Sequence, residues 1–209
     1  MPRFSGPLRL ESNHNLSGFE CGVLSLDSWL LNHSRNAAAA GSAITYVLVD
    51  EQLERVVGFH ALTVASIPHQ DATTRARKGM PRHPVPAVLL ARLGVDRTAQ
   101  DRGIGALLLA DAMRRAVSAA EEVGIRLLMA HAIDGRALDF YLRFGFERSP
   151  SDPFNLQILI KDVRRALDES GSGERRIWGD LEGSIGPDLD LRSRTLIRMR
   201  EANAGGQEM

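Results

Sequence analysis

The chain has 209 residues, 26 basic against 26 acidic side chains, and 44% hydrophobic residues. A neutral balance gives no bulk attraction for nucleic acid, and a single cysteine, Cys21, excludes an internal disulfide or a multi-cysteine metal site. The length suits one domain with an appendage. No run reaches the roughly 18 apolar residues of a membrane span and no signal segment opens the chain, so a cytoplasmic protein is expected.

In chain order, Pro7–Leu10 predicts a short first strand, followed by an irregular, glycine-marked stretch over 17–22. Ser25 is placed to N-cap a helix with Asp27 in its first turn. Leu26, Trp29, Leu30, His33 and Ala37 then keep i, i+3, i+4, i+7 spacing in one helix ending by Gly41, with His33 at the edge of the core. Ile44–Val49 and Val56–Ala65 are apolar and rich in β-branched residues, and the polar turn 50–54 makes them a hairpin. Residues 68–86 are polar, basic and proline-bearing, a long loop with room for a helical turn. A loop of that length in a compact domain is functional or disordered.

Val88–Val95 predicts a buried strand bounded by Pro86 and Asp96. From Gly103 the positions Ile104, Leu107, Leu108, Ala112, Ala116, Val117 and Ala120 recur at helical spacing, with Gly124 as the stop. Ile125–Ala130 is a further buried strand. Asp134 caps a short helix with Ala137, Phe140, Tyr141 and Phe144 on one face, closed by Gly145. Phe154–Ile160 is the last strand and Asp162–Leu167 a helical stub. The domain is expected over 1–168. Residues 169–209 read as a flexible tail of glycine and charge, with one helix over Leu189–Glu201.

The informative stretch joins the strand ending at Val95 to the helix after Gly103. A glycine turn that opens a helix aims free backbone N–H groups at one spot, where the helix dipole also favours an anion. Gly103 and Gly105 let a pyrophosphate approach the backbone. No lysine follows, so the loop is not a P-loop, and Leu108 stands where a dinucleotide fingerprint needs its third glycine. The run Gln100-x-x-Gly103-x-Gly105-Ala106 resembles instead the acetyl-CoA loop of the GNAT N-acetyltransferases, Q/R-x-x-G-x-G/A. About 35 residues on, Ala137-x-x-Phe140-Tyr141-x-x-x-Gly145-Phe146 resembles a second GNAT segment, and the order of elements matches that of the GNAT fold.

That resemblance implies an α/β fold with a mixed central sheet of six to seven strands flanked by helices, the acetyl-CoA loop following the fourth strand. It implies acetyl-CoA as co-substrate, held along Leu93, Val95, Gln100, Asp101, Arg102, Gly103, Ile104, Gly105, Ala106 and Phe140, and Tyr141 at the thioester sulfur. A tyrosine O–H can hydrogen-bond to and protonate a departing thiolate. The central strand holds no carboxylate to act as base, and Asp96, the nearest acid, starts the turn. An α-amine, with a pKa of about 7.7–8.0, needs less help to lose its proton than a lysine at about 10.4. An α-amino acceptor deprotonated through water therefore suits the site.

The amino-terminal half carries a narrower resemblance. Phe19-x-Cys21-Gly22-x-x-x-Leu26-Asp27-x-Trp29-Leu30, then Thr45–Val49, Val56–Phe59 and Arg92–Asp96, resemble the GNAT toxins of type II toxin–antitoxin systems over about residues 8–165. That family implies acetylation of the α-amino group on aminoacyl-tRNA, a block of translation, and neutralisation by a ribbon-helix-helix antitoxin through which alone DNA is bound. A homodimer is expected. Gly94 departs from the alanine usual there, which loosens the strand. Residues 72–95 carry Arg75, Arg77, Lys78, Arg82 and Arg92 and no acid. Arg35, Arg77, Lys78, Arg82 and Arg92 are the candidate RNA contacts. Acetylation of a small amine or a protein N-terminus is the alternative activity, and an antitoxin-bound co-repressor without catalysis the alternative of another class.

Overall fold

The computed structural model describes residues 3–171. The tail expected over 169–209, with its helix at Leu189–Glu201, lies outside the described residues apart from the end of the last helix. The described chain comprises two compact units. One is formed by residues up to Thr63 with Ala91–Ala112, the other by Val64–Leu90 with Met113 onward. Seven strands form a mixed sheet in the order β1-β2-β3-β4-β5-β7-β6.

In the first unit, β1 (Phe4–Arg9) pairs antiparallel with β2 (Ile44–Asp50), and β2 with β3 (Arg55–Ile67), as the hairpin pattern predicts. Val47 lies opposite Phe59; both are buried with Leu26, Leu30 and Phe19 in one apolar cluster. A second cluster joins Leu48 and Val57 to Ile104, Leu107 and Leu108. In the same unit buried His60 Nε2 lies 2.7 Å from an Asp111 carboxylate oxygen, with Tyr46 stacked on the imidazole.

The single helix expected from Ser25 to Gly41 is two, α1 (Leu24–Asn32) and α2 (Ser34–Ala39). The Ser34 hydroxyl donates to Leu30 O at 2.6 Å, a back-bond of the kind that bends helices. His33, at the break, is turned out to solvent and is not a core-edge residue. Nor does Ser25 cap. Val23 occupies the cap position without a side-chain bond, and Asp27 accepts the Cys21 N–H at 2.8 Å.

In the second unit the long loop after β3 is ordered. It contains a 3-10 turn, His69–Asp71, and α3 (Thr74–Arg77), whose N-cap Thr73 accepts from Ala76 N–H. Buried Gln157 grips it from both sides, donating to Asp71 O and accepting from Thr73 N–H. Arg126 donates to Ala76 O and Lys78 O, and Arg75 pairs with Glu147 and Asp162. Such long-range side-chain staples leave no mark on local sequence pattern.

β4 (Val85–Val95) pairs parallel with β5 (Leu127–His131) over Ala87–Leu90 and runs on to Val95. Pro86 is inside this strand, not ahead of it. α4 (Ile104–Glu122) ends two residues before Gly124. α5 (Gly135–Arg143) is capped by Asp134, which accepts from Ala137 N–H at 2.7 Å, and Gly145 takes φ +83° after it, as predicted. β6 (Glu147–Arg148) has only two residues, too few for periodicity to reveal. β7 (Asn155–Leu159) leads directly into α6 (Ile160–Gly171), longer than the expected stub. No helix among the described residues is long and apolar enough to cross a membrane.

Candidate active site

The turn between β4 and α4 has the geometry its glycines predict. Asp101 takes φ +60° and Gly103 φ +76°. Leu107 N–H makes an i→i−4 bond to Gly103 O at 3.1 Å. The N–H groups of Ile104, Gly105 and Ala106 therefore open the helix ahead of that bond, at the positive end of a 19-residue dipole. Asp101, Arg102 and Gly103 are exposed, and Gly105 and Ala106 half-buried. Leu93 and Val95, partly buried, and Ile104, fully buried, pack their side chains in the apolar cluster with Leu107 and Leu108.

Gln100 differs from expectation. Its side-chain amide donates to Cys21 O at 2.9 Å and Val95 O at 3.0 Å. The side chain ties the Phe19–Gly22 turn to the end of β4, which leaves the backbone of Gln100 for any ligand. Asp96 completes the same clip. It accepts from Glu20 N–H, from both Arg55 guanidinium nitrogens, and from the Thr98 N–H and hydroxyl. Burial favours its neutral form, but these donors outweigh burial and hold the carboxyl down at about 2. A carboxylate so held does not take up a proton at neutral pH and is not a general base. The Cys21 thiol is pushed up to about 12 by burial and by its hydrogen bond with Asp27, and stays neutral.

Tyr141 is in the second unit, on the inner face of α5, and is 7% exposed. Phe140 and Phe146 meet its ring edge-on at 5.2 Å and 5.4 Å, and Phe140 meets Phe144 in the same way. Burial pushes the Tyr141 phenol above its ordinary value, so its proton is retained throughout the physiological range. Phe140 is half-buried beside it.

The basic candidates fall into two groups. Arg77, Lys78 and Arg82 follow one another on the stapled loop of the second unit; Lys78 and Arg82 are exposed and Arg77 is half-buried. Arg35 and Arg92 belong to the first unit. Arg35 donates to His14 O at 2.8 Å and Ser12 O at 3.4 Å, so much of its guanidinium holds the loop after β1. Arg92 lies over the Trp29 ring, 5.7 Å from its centre. Motif reasoning did not assign a site role to Trp29, which stacks on Phe59 at 6.0 Å. Its place in the Phe19–Leu30 stretch was the available signal.

Residues 41–148 match the family model described as Acetyltransferase (GNAT) domain. A tRNA-acetylating toxin of Mycobacterium tuberculosis is 41% identical over 167 residues, covering 80% of this chain and 99% of that protein. The solved structure of AtaT complexed with acetyl-methionyl-tRNAfMet superposes with a TM-score of 0.69 at 28% identity, covering 74% of this chain and 93% of that one. A Tyr-to-Phe variant of the AtaT toxin, bound to the C-terminus of the antitoxin AtaR and acetyl-CoA, gives 0.65 at 26% identity, covering 76% and 94%.

Proposed function

This chain belongs to the GNAT acetyltransferases and, within them, to the tRNA-acetylating toxins, and we propose on that footing that it acetylates the α-amino group of the amino acid on charged tRNA. It is an acetyl-CoA-dependent N-acetyltransferase. The observation that carries the substrate reading is the 41% identity that extends over 99% of the mycobacterial toxin.

In this reading the pyrophosphate of acetyl-CoA takes the N–H groups of Ile104, Gly105 and Ala106, where Gly103 and Gly105 keep side chains out of its way. Leu93, Val95, Gln100, Asp101 and Arg102 contribute backbone, and Phe140 an apolar wall. Backbone N–H near Val95 stabilises the oxyanion that forms when the amine nitrogen bonds to the acetyl carbon. The C–S bond then breaks and the electron pair leaves on sulfur. Tyr141 O–H donates to that sulfur. With its pKa raised, Tyr141 stabilises the thiolate by a hydrogen bond more than by surrendering the proton. The amine proton leaves through water. Asp96, tied to Arg55, supports this assignment, because an α-amine at about 7.7–8.0 needs no strong base.

Arg77, Lys78 and Arg82 track RNA phosphates on a ridge that Gln157, Arg126 and Arg75 hold in place. The partner that neutralises the chain is a ribbon-helix-helix antitoxin, DNA is engaged only through it, and the enzyme works as a cytoplasmic homodimer. Expression of the chain without antitoxin tests the reading. Growth should stop, and extracted charged tRNA should carry N-acetyl-aminoacyl groups. Normal growth at high expression, with no acetylated aminoacyl-tRNA, favours the small-amine enzyme.

A further inference from the structure

The last five residues of β4 divide their side chains between two faces. Leu93 and Val95 pack with the start of α4. Arg92 and Gly94 alternate with them and point the other way. A Cβ on Gly94 would stand 2.7 Å from Phe59, and the Arg92 guanidinium covers Trp29. Phe59 is fully buried, meets Phe19 edge-on at 5.5 Å, and lies nearly parallel to Trp29, with 14° between the rings. Trp29 and Arg92 are half-buried. The Trp29 ring thus has buried Phe59 nearly parallel to it at 6.0 Å and the Arg92 guanidinium carbon 5.7 Å from its centre. Arg92 Nη1 donates to Ala91 O at 2.7 Å, which holds one edge of the guanidinium while its carbon lies over the Trp29 ring. No carboxylate among the described residues forms an ion pair with Arg92.

We propose that Arg92, held on Trp29, is the stacking platform for the terminal nucleobase of the aminoacyl-RNA acceptor end. This inference rests on the aminoacyl-tRNA reading given above. A guanidinium plane stacks on π systems, and unpaired RNA ends are held by such planes. Its position fits the chemistry. Arg92 precedes Val95 by three residues, about 10 Å along an extended strand. In charged tRNA the amino acid is esterified to the very ribose that bears the terminal base, so one sugar and one ester separate base from amine. A phosphate contact would need the fork edge of the guanidinium, part of which is already turned to Ala91 O.

Aminoacylated RNA minihelices with a normal or an abasic terminal nucleotide distinguish the two uses. Arg92→Ala should raise KM for the normal minihelix about tenfold, the scale of losing one stacking contact, with kcat and acetyl-CoA affinity within a few-fold of wild type. On the abasic minihelix Arg92→Ala should change KM little, because the base it would hold is gone. Arg92→Lys keeps the charge without the plane and should behave like Arg92→Ala. Equal KM increases on both minihelices, rescue by Arg92→Lys, or unchanged KM for the normal minihelix would each overturn the platform. If wild type acetylates neither minihelix yet acetylates free amines, the aminoacyl-tRNA reading falls and the platform with it.

Discussion

Replacing Asp96 by Asn removes a buried charge between β4 and the turn that opens α4. The carboxylate is 3% exposed and accepts from Arg55 at 3.0 and 3.3 Å, from Glu20 N–H at 3.1 Å, and from Thr98 N–H and hydroxyl at 3.0 and 2.6 Å. Its pKa of about 2 lies below the ordinary 3.8, and each unit of depression is worth about 1.4 kcal/mol, so ionisation stabilises the fold by about 2 kcal/mol at neutral pH. Asn keeps one acceptor oxygen but strands the Arg55 charge, whose loss of partner can cost up to about 3–5 kcal/mol. We expect Asp96→Asn to destabilise by about 2–4 kcal/mol in urea unfolding at pH 7. Because the folded pKa is depressed, this stabilisation is complete above the unfolded pKa near 4. It is lost as pH falls through about 2. The gap between wild type and variant should therefore narrow steadily from pH 5 to pH 2. A gap under about 0.5 kcal/mol at pH 7, the size of an ordinary surface substitution, or a gap independent of pH, would refute the reasoning.

Gly105→Glu should abolish acetyl-CoA binding in a folded chain, measured by calorimetry, because it places a side chain and a negative charge against the opening N–H groups of α4. Tyr141→Phe keeps the ring packing with Phe140 and Phe146 and loses only the O–H; kcat should fall by about 10²–10⁴-fold with acetyl-CoA affinity retained, whereas turnover within a few-fold of wild type would remove Tyr141 from the mechanism. Since the Tyr141 phenol is raised by burial, its ionisation should produce no alkaline fall in rate below about pH 10. Gly94→Ala drives a methyl to within 2.7 Å of Phe59 and should destabilise by about 1–3 kcal/mol, read as a lower melting temperature.

The turn that opens α4 was legible because its signals are local. Glycines at 103 and 105, the strand before them and the apolar stripe after them all fall within one window, and backbone conformation follows from those residues directly. Asp134 and Gly145 bracketed α5 for the same reason. What local pattern could not show depends on contacts distant in sequence. Gln100 matches the acetyl-CoA motif, yet its side chain serves a carbonyl 79 residues away. The 68–86 loop reads as loose until Gln157 and Arg126 are seen gripping it. The Ser34 hydroxyl bonds back to Leu30 O where α1 ends, and Asp27 is bonded to Cys21 N–H ahead of the helix rather than to the helix's own first turn; neither bond shows in the hydrophobic spacing. Gly94 reads as a loosening of β4, whereas the ring of Phe59 occupies the space a methyl would need.

Transfer of labelled acetyl from acetyl-CoA by the purified chain most directly tests the central claim, with charged tRNA, stripped tRNA and free amino acids assayed side by side. Label should appear only with charged tRNA, and mild alkaline hydrolysis should release it as the N-acetyl amino acid. Label on free amino acids at comparable rate, with none recovered from charged tRNA, would contradict the claim.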